Sequence, residues 1–172
     1  TEWFYVDCLA DYYHVPVFSE EHWKIIEHFV ATAAHRGINM ILTPQFTPPL
    51  DTAVGKERTT VQLVKVEKTA DGYAFDFTDL ERWIVMCQKN GIRYFEMSHL
   101  FSQWGAVAAP KIVGMVDGAE QVLFGWDTPA AGGEYEKFLH IYLPQLKQKL
   151  EELGVLEEAY FHISDEPNLN QI

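Results

Sequence analysis

The chain has 172 residues, 48% hydrophobic and 14% aromatic, enough core material for a single domain spanning 1–172. The 25 acids against 13 bases give a formal net charge of −12; no basic stripe interrupts it, which argues against nucleic acid or an anionic membrane as partner and is compatible with a neutral sugar. No apolar run reaches the length of a membrane span, and Thr1-Glu2-Trp3 does not resemble the charged start of a signal peptide. Cys8 and Cys87 lack CxxC spacing, so the compartment stays open, and the sequence does not give the oligomeric state.

In chain order, Trp3-Phe4-Tyr5-Val6-Asp7 reads as a first strand. Ser19, followed by Glu20 and Glu21, suits a helix start. Trp23, Ile26, Phe29, Val30 and Ala33 then fall on one helical face, and Gly37 ends the helix. Ile38–Thr43 follows as a buried strand. Asp71-Gly72, between strand-like runs 61–68 and 73–77, signals an inserted hairpin. Thr78 and Glu81 are spaced as a capping box for a second helix with Leu80, Trp83, Ile84 and Cys87 inward. Asn90-Gly91 ends it, and Ile92–Met97 is the next strand. A second hairpin is expected about Asp117-Gly118. A third helix runs from about Glu134 to Leu153, kinked at Pro144, and a last strand reaches Ile163.

Strands alternating with helices imply βαβ units and a parallel sheet. The expected fold is therefore α/β, a (β/α)8 TIM barrel. Four strands and three helices make about half of one, so the chain is expected to be a partial barrel from a longer protein, with β-hairpins inserted in its βα loops. Both hairpins are then expected on the face where the strands end.

That face gathers the chemistry. The final strand runs into Ser164-Asp165-Glu166-Pro167, two adjacent carboxylates where a barrel places catalytic groups. The other strand ends deliver Asp7, Glu96, His99 and, with their loops, Trp104 and Trp126; His162 precedes the acids. Rings beside carboxylates suit a sugar, whose C–H face takes the ring and whose hydroxyls take the polar groups. Each residue has a plainer reading. Asp165 could cap a helix, Trp104 and Trp126 could pack a hairpin down, and the histidines could be hydrogen-bonded in the core. Glu96 ends a buried strand, where an unpaired carboxylate is costly, so it needs a role or a partner.

Adjacent strand residues point to opposite faces, which makes Asp165 and Glu166 awkward as a direct acid–nucleophile pair. They suit substrate assistance, in which a sugar's 2-acetamido oxygen attacks the anomeric carbon. One carboxylate then orients the acetamido group and the other protonates the leaving oxygen.

Four segments carry a family resemblance: Ile41-Leu42-Thr43-Pro44, Pro48-Pro49-Leu50-Asp51-Thr52, Tyr94–Phe101 and Phe161–Pro167, with Trp104-Gly105-Ala106 and Phe124-Gly125-Trp126. Over nearly its whole length the chain resembles the catalytic domain of glycoside hydrolase family 123. The resemblance implies a (β/α)8 barrel and a retaining, exo-acting β-N-acetylgalactosaminidase of bacterial carbohydrate metabolism. Asp165 would stabilise the acetamido group and Glu166 would be the general acid/base. Glu96, His99, Trp104, Trp126 and His162 would line the substrate site, and no cofactor or metal is implied.

Two other readings compete. Glu96, His99, His162, Asp165 and Glu166 could hold a divalent metal in a sugar isomerase or hydrolase, although no HExxH-type motif is present. A non-catalytic carbohydrate-binding fragment is the non-enzymatic alternative; the intact Asp165-Glu166 pair argues against it.

Overall fold

The computed structural model describes residues 1–163 and Asp165; Glu166 lies outside the described residues. The elements in order are helix α1 (Val6–Tyr13), helix α2 (Glu20–His35), β1 (Met40–Thr43), β2 (Lys65–Thr69), β3 (Gly72–Asp76), helix α3 (Thr78–Lys89), β4 (Tyr94–Met97), β5 (Ile112–Val116), β6 (Ala119–Phe124), helix α4 (Gly133–Glu152) and β7 (Ala159–Phe161). A short 3-10 turn, Leu156–Glu158, leads into β7.

The expected (β/α)8 barrel is not formed. Among the described residues the seven strands divide into a three-stranded sheet, β1-β4-β7, and a four-stranded sheet, β3-β2-β5-β6, and neither closes. A TIM barrel needs eight parallel strands in one ring, whereas β2, β3, β5 and β6 belong to hairpins. The first sheet is parallel throughout, with Ile41 opposite Phe95 and Met97 opposite Phe161.

The expected strand Trp3–Asp7 is also absent. Only Glu2 bridges to Ile41, in parallel sense, through Glu2 N–H to the Met40 carbonyl and Leu42 N–H to the Glu2 carbonyl, both 3.0 Å. From Val6 the chain is helical. Val6, Leu9 and Ala10 give a helical apolar spacing, and Asp7 in the first turn complements the helix dipole. The helical period outweighed the aromatic strand propensity of Trp3-Phe4-Tyr5.

Helix α2 starts as expected, with the Ser19 hydroxyl accepting from His22 N–H at 3.2 Å. The capping box at Thr78 does not form. Thr78 is already helical, and Asp76 Oδ1 accepts from both the Thr78 N–H, at 2.8 Å, and its hydroxyl, at 2.6 Å. Trp23, Ile26 and Val30 of α2 and Leu80, Trp83 and Ile84 of α3 share one core with Ile41 and Phe95. Helix α4 continues through Pro144 and turns Tyr135, Phe138 and Tyr142 inward. These rings meet Tyr73 and Phe75 of β3, Phe124 of β6 and Phe46.

Both hairpins form. In the second, Asp117 and Gly118 have φ of 51° and 81°, the paired positive values of a type I′ turn. In the first, Thr69 pairs with Gly72, so the turn residues are Ala70 and Asp71, one position earlier than expected. Each hairpin leaves from the C-terminal end of a parallel strand, β1 or β4. Leu63 N–H returns to the Pro44 carbonyl at 3.0 Å, which ties the first hairpin to the end of β1. The two hairpins then pair with each other through Glu67 and Met115. No helix among the described residues is long and apolar enough to cross a membrane.

Candidate functional site

Strand β4 is the centre of the parallel sheet, and Glu96 is buried in it. A carboxylate there needs partners, and three converge on it. Trp3 Nε1 donates to Oε1 at 2.9 Å, the Thr1 hydroxyl donates to Oε2 at 3.1 Å, and His162 Nδ1 lies 3.2 Å from Oε1. Burial alone would raise the Glu96 carboxyl; the bonds from Trp3, His162 and Thr1 outweigh it and hold the group below the usual carboxylate range.

Past the end of β4 the chain is pinned to the β1 loop. Ser98 N–H reaches the Thr43 carbonyl at 2.9 Å, Gln45 Nε2 donates to the Ser98 carbonyl at 2.6 Å, and the Ser98 hydroxyl donates to the Phe46 carbonyl at 3.0 Å. This lock delivers His99 inward. His162 arrives one residue after β7. The two imidazole centroids are 4.2 Å apart, and the Trp3 indole stands 5.6 Å from His99 and 5.8 Å from His162.

His99 is 1% exposed, and neither ring nitrogen has a hydrogen-bond partner among the described residues. Burial, reinforced by the nearby His162, pushes its pKa down to about 4; Asp165 and Glu96 offset this only in part. At neutral pH the ring is uncharged, with one donor and one acceptor. Glu96, His99 and His162 each offer a ligand atom, all within 4.8 Å of one another, so they could also hold a metal ion.

Asp165 is held by a separate series of contacts. Gln103 Nε2 donates to Asp165 Oδ2 at 2.8 Å, and Gln103 Oε1 accepts from Asp51 N–H at 2.9 Å. The Tyr5 hydroxyl donates to Asp51 Oδ2 at 3.2 Å, and the Arg58 guanidinium lies 4.1 Å above the Tyr5 ring. Burial, with Asp51 adding to it, pushes the Tyr5 hydroxyl up to about 12, so it stays a donor. Arg58 closes the series on Asp7, with contacts of 2.8 and 3.0 Å to its two oxygens.

The structure thus brings Glu96, His99 and His162 together, and Asp165 is near enough to act on His99 electrostatically. Of three other expected residues, Asp7 and Trp126 are engaged elsewhere and Trp104 is exposed. Asp7 is a buried helix residue paired with Arg58, not a strand end. Trp104 is exposed, at φ 56°. Trp126 donates to the Lys56 carbonyl at 2.9 Å and lines a separate cleft of about 360 Å³ with Pro48, Pro49, Arg58 and Lys111. None of Glu96, His99, His162 and Asp165 lines that cleft; the titratable groups converge instead at the carboxylate–histidine cluster, which is the candidate site.

Trp3 and Gln103 are neighbours of the candidate cluster that the expected site list left out, although the sequence placed Gln103 with Trp104 on the strand-end face. The signal for Trp3 was an indole N–H needing an acceptor; that for Gln103 was its position beside Trp104 in the loop after β4.

No curated protein matches the sequence. Residues 3–172 match the family described as Glycoside hydrolase 123, catalytic domain. The chain therefore belongs to that family and is a glycoside hydrolase domain acting on carbohydrate.

Proposed function

We propose that the domain is a retaining glycosidase that removes terminal 2-acetamido sugars, β-N-acetylgalactosaminides among them, by substrate assistance. The observation that carries this reading is the fixed carboxylate of Asp165, held at 2.8 Å by Gln103 beside the buried His99. A group that orients an acetamido N–H must be ionised and immobile, and Gln103 supplies the second property. Glu166, its sequence neighbour, is the general acid/base. Glu96, His99 and His162 supply polar contacts for sugar hydroxyls, and the Trp3 indole beside them covers an apolar sugar face. The exposed Trp104 is a contact for the aglycone.

The test is a panel of chromogenic glycosides offered to the full-length protein. Hydrolysis of 2-acetamido substrates with no action on their 2-hydroxy equivalents is expected, because the nucleophile belongs to the substrate. Comparable rates on both series would overturn the mechanism, as would a covalent sugar trapped on either carboxylate.

A further inference from the structure

We propose that Glu96, His99 and His162 form a binding site for a divalent transition-metal ion of the zinc type. The inference deepens the proposed function at the same three residues: with the ion bound, sugar hydroxyls meet its open position instead of these side chains directly. It starts from His99, whose two ring nitrogens are both buried and unpartnered among the described residues. A neutral imidazole has one donor and one acceptor to satisfy, and leaving a buried polar group unpaired costs stability. Tyr135 and Tyr142, also buried, both have hydrogen-bond partners, so His99 is a local exception with a local cause.

The neighbours of His99 are metal donors. Glu96 Oε1 and His162 Nδ1 are 3.2 Å apart, close to the roughly 3.4 Å between donor atoms in a tetrahedral shell with bonds of about 2.0–2.1 Å. The third donor completes a set within 4.8 Å, so a small rotation of His99 closes the triangle. His162 binds through Nδ1 in the tautomer whose Nε2 carries the proton, and the ion replaces its contact with Glu96. The carboxylate keeps its supports, Trp3 Nε1 on Oε1 and the Thr1 hydroxyl on Oε2, the kind of outer contact that orients metal ligands. Two imidazoles and one carboxylate suit zinc or cobalt better than calcium or magnesium, which take oxygen shells. Three protein ligands leave a fourth position open.

The test titrates the chelator-treated full-length protein with Co(II) and follows visible absorption. One equivalent is expected to produce tetrahedral ligand-field bands that Zn(II) then abolishes. His162→Gln, at a half-buried position, should weaken Co(II) binding by about tenfold or more, and His99→Asn should do the same. His140→Gln, on the exposed face of α4 beside Glu136, should leave binding unchanged. If His99→Asn fails to fold by circular dichroism, His162→Gln decides alone. Absence of the bands in wild-type protein overturns the proposal, as does binding that survives His162→Gln or is lost in His140→Gln.

Discussion

Two interior histidines are treated in opposite ways. His22 accepts from Phe18 N–H at Nδ1 and donates to the Val6 carbonyl at Nε2, both at 2.9 Å, so its neutral tautomer is fixed. Burial holds its pKa below 6.5, with Val6 and Asp7 offsetting only part of the effect. The unfolded chain therefore takes up this proton first as pH falls. The contribution of His22 to stability is complete above about pH 6.5 and is lost progressively as pH drops toward and through the lowered folded value. Urea midpoints measured from pH 7 to pH 5 should fall, and His22→Gln should flatten that slope; a variant with the wild-type slope would show that other groups carry it. At the proposed catalytic pair, Asp165→Asn should slow activated and unactivated 2-acetamido glycosides alike, on the order of a hundredfold. Glu166→Gln should chiefly harm substrates with poor leaving groups, since activated aryl glycosides need little protonation. Equal losses on both substrate types in Glu166→Gln would reassign the acid.

The elements differ in how far the sequence disclosed them. Helices α2, α3 and α4 were legible because their apolar positions recur at the helical period over three or more turns. Asp117-Gly118 was legible because a type I′ turn demands positive φ at both positions. The N-terminal segment was not, since four successive aromatic and apolar residues, Trp3 to Val6, are strand-like locally and only partner strands decide the matter. The capping of α3 was misread by two residues: Asp76, on the end of β3, outcompeted the Thr78–Glu81 pair once the hairpin had placed it there. Between hairpins the critical position is Gly114. A Cβ there would lie 2.6 Å from Leu123 Cδ1 and 2.8 Å from the Val66 carbonyl oxygen. Gly114→Ala should therefore destabilise the domain by about 1–3 kcal/mol, read by thermal unfolding, with protection from hydrogen exchange lost first at Val66 and Glu67. An alanine variant as stable as wild type would mean that β2 and β5 do not rely on this close approach.

At the scale of the whole molecule, the candidate cluster depends on contacts between residues far apart in sequence. Trp3 reaches Glu96 across 93 positions and Gln103 reaches Asp165 across 62. No periodicity encodes such pairs, which is why the acids and histidines stood out by residue type while their supports did not. The barrel expectation failed for a related reason: strand–helix alternation gives a parallel sheet in chain order, which the structure has, but not the number of strands or their closure. The most consequential long-range tie is Arg58 with Asp7, a pair whose side chains are 13% and 5% exposed. Removing the cation would leave the buried Asp7 side chain without its ion-pair partner, and would release the Tyr5–Asp51–Gln103 series that steadies Asp165. Arg58→Met should cost about 3 kcal/mol or more and lower kcat more than it raises KM. Unchanged stability in chemical denaturation would show that the pair is dispensable.

The pairing of Glu67 with Met115 joins two chain segments that each began as a separate loop. Loops on an enzyme's working face are ordinarily free to lengthen, shorten or be exchanged one at a time. Here that freedom is curtailed, because a changed length in either hairpin would strand the edge of the other and open the aromatic layer beneath α4. Diversification of this face should therefore proceed by paired changes in both hairpins, and a graft of either one into a foreign scaffold should fail unless its companion travels with it.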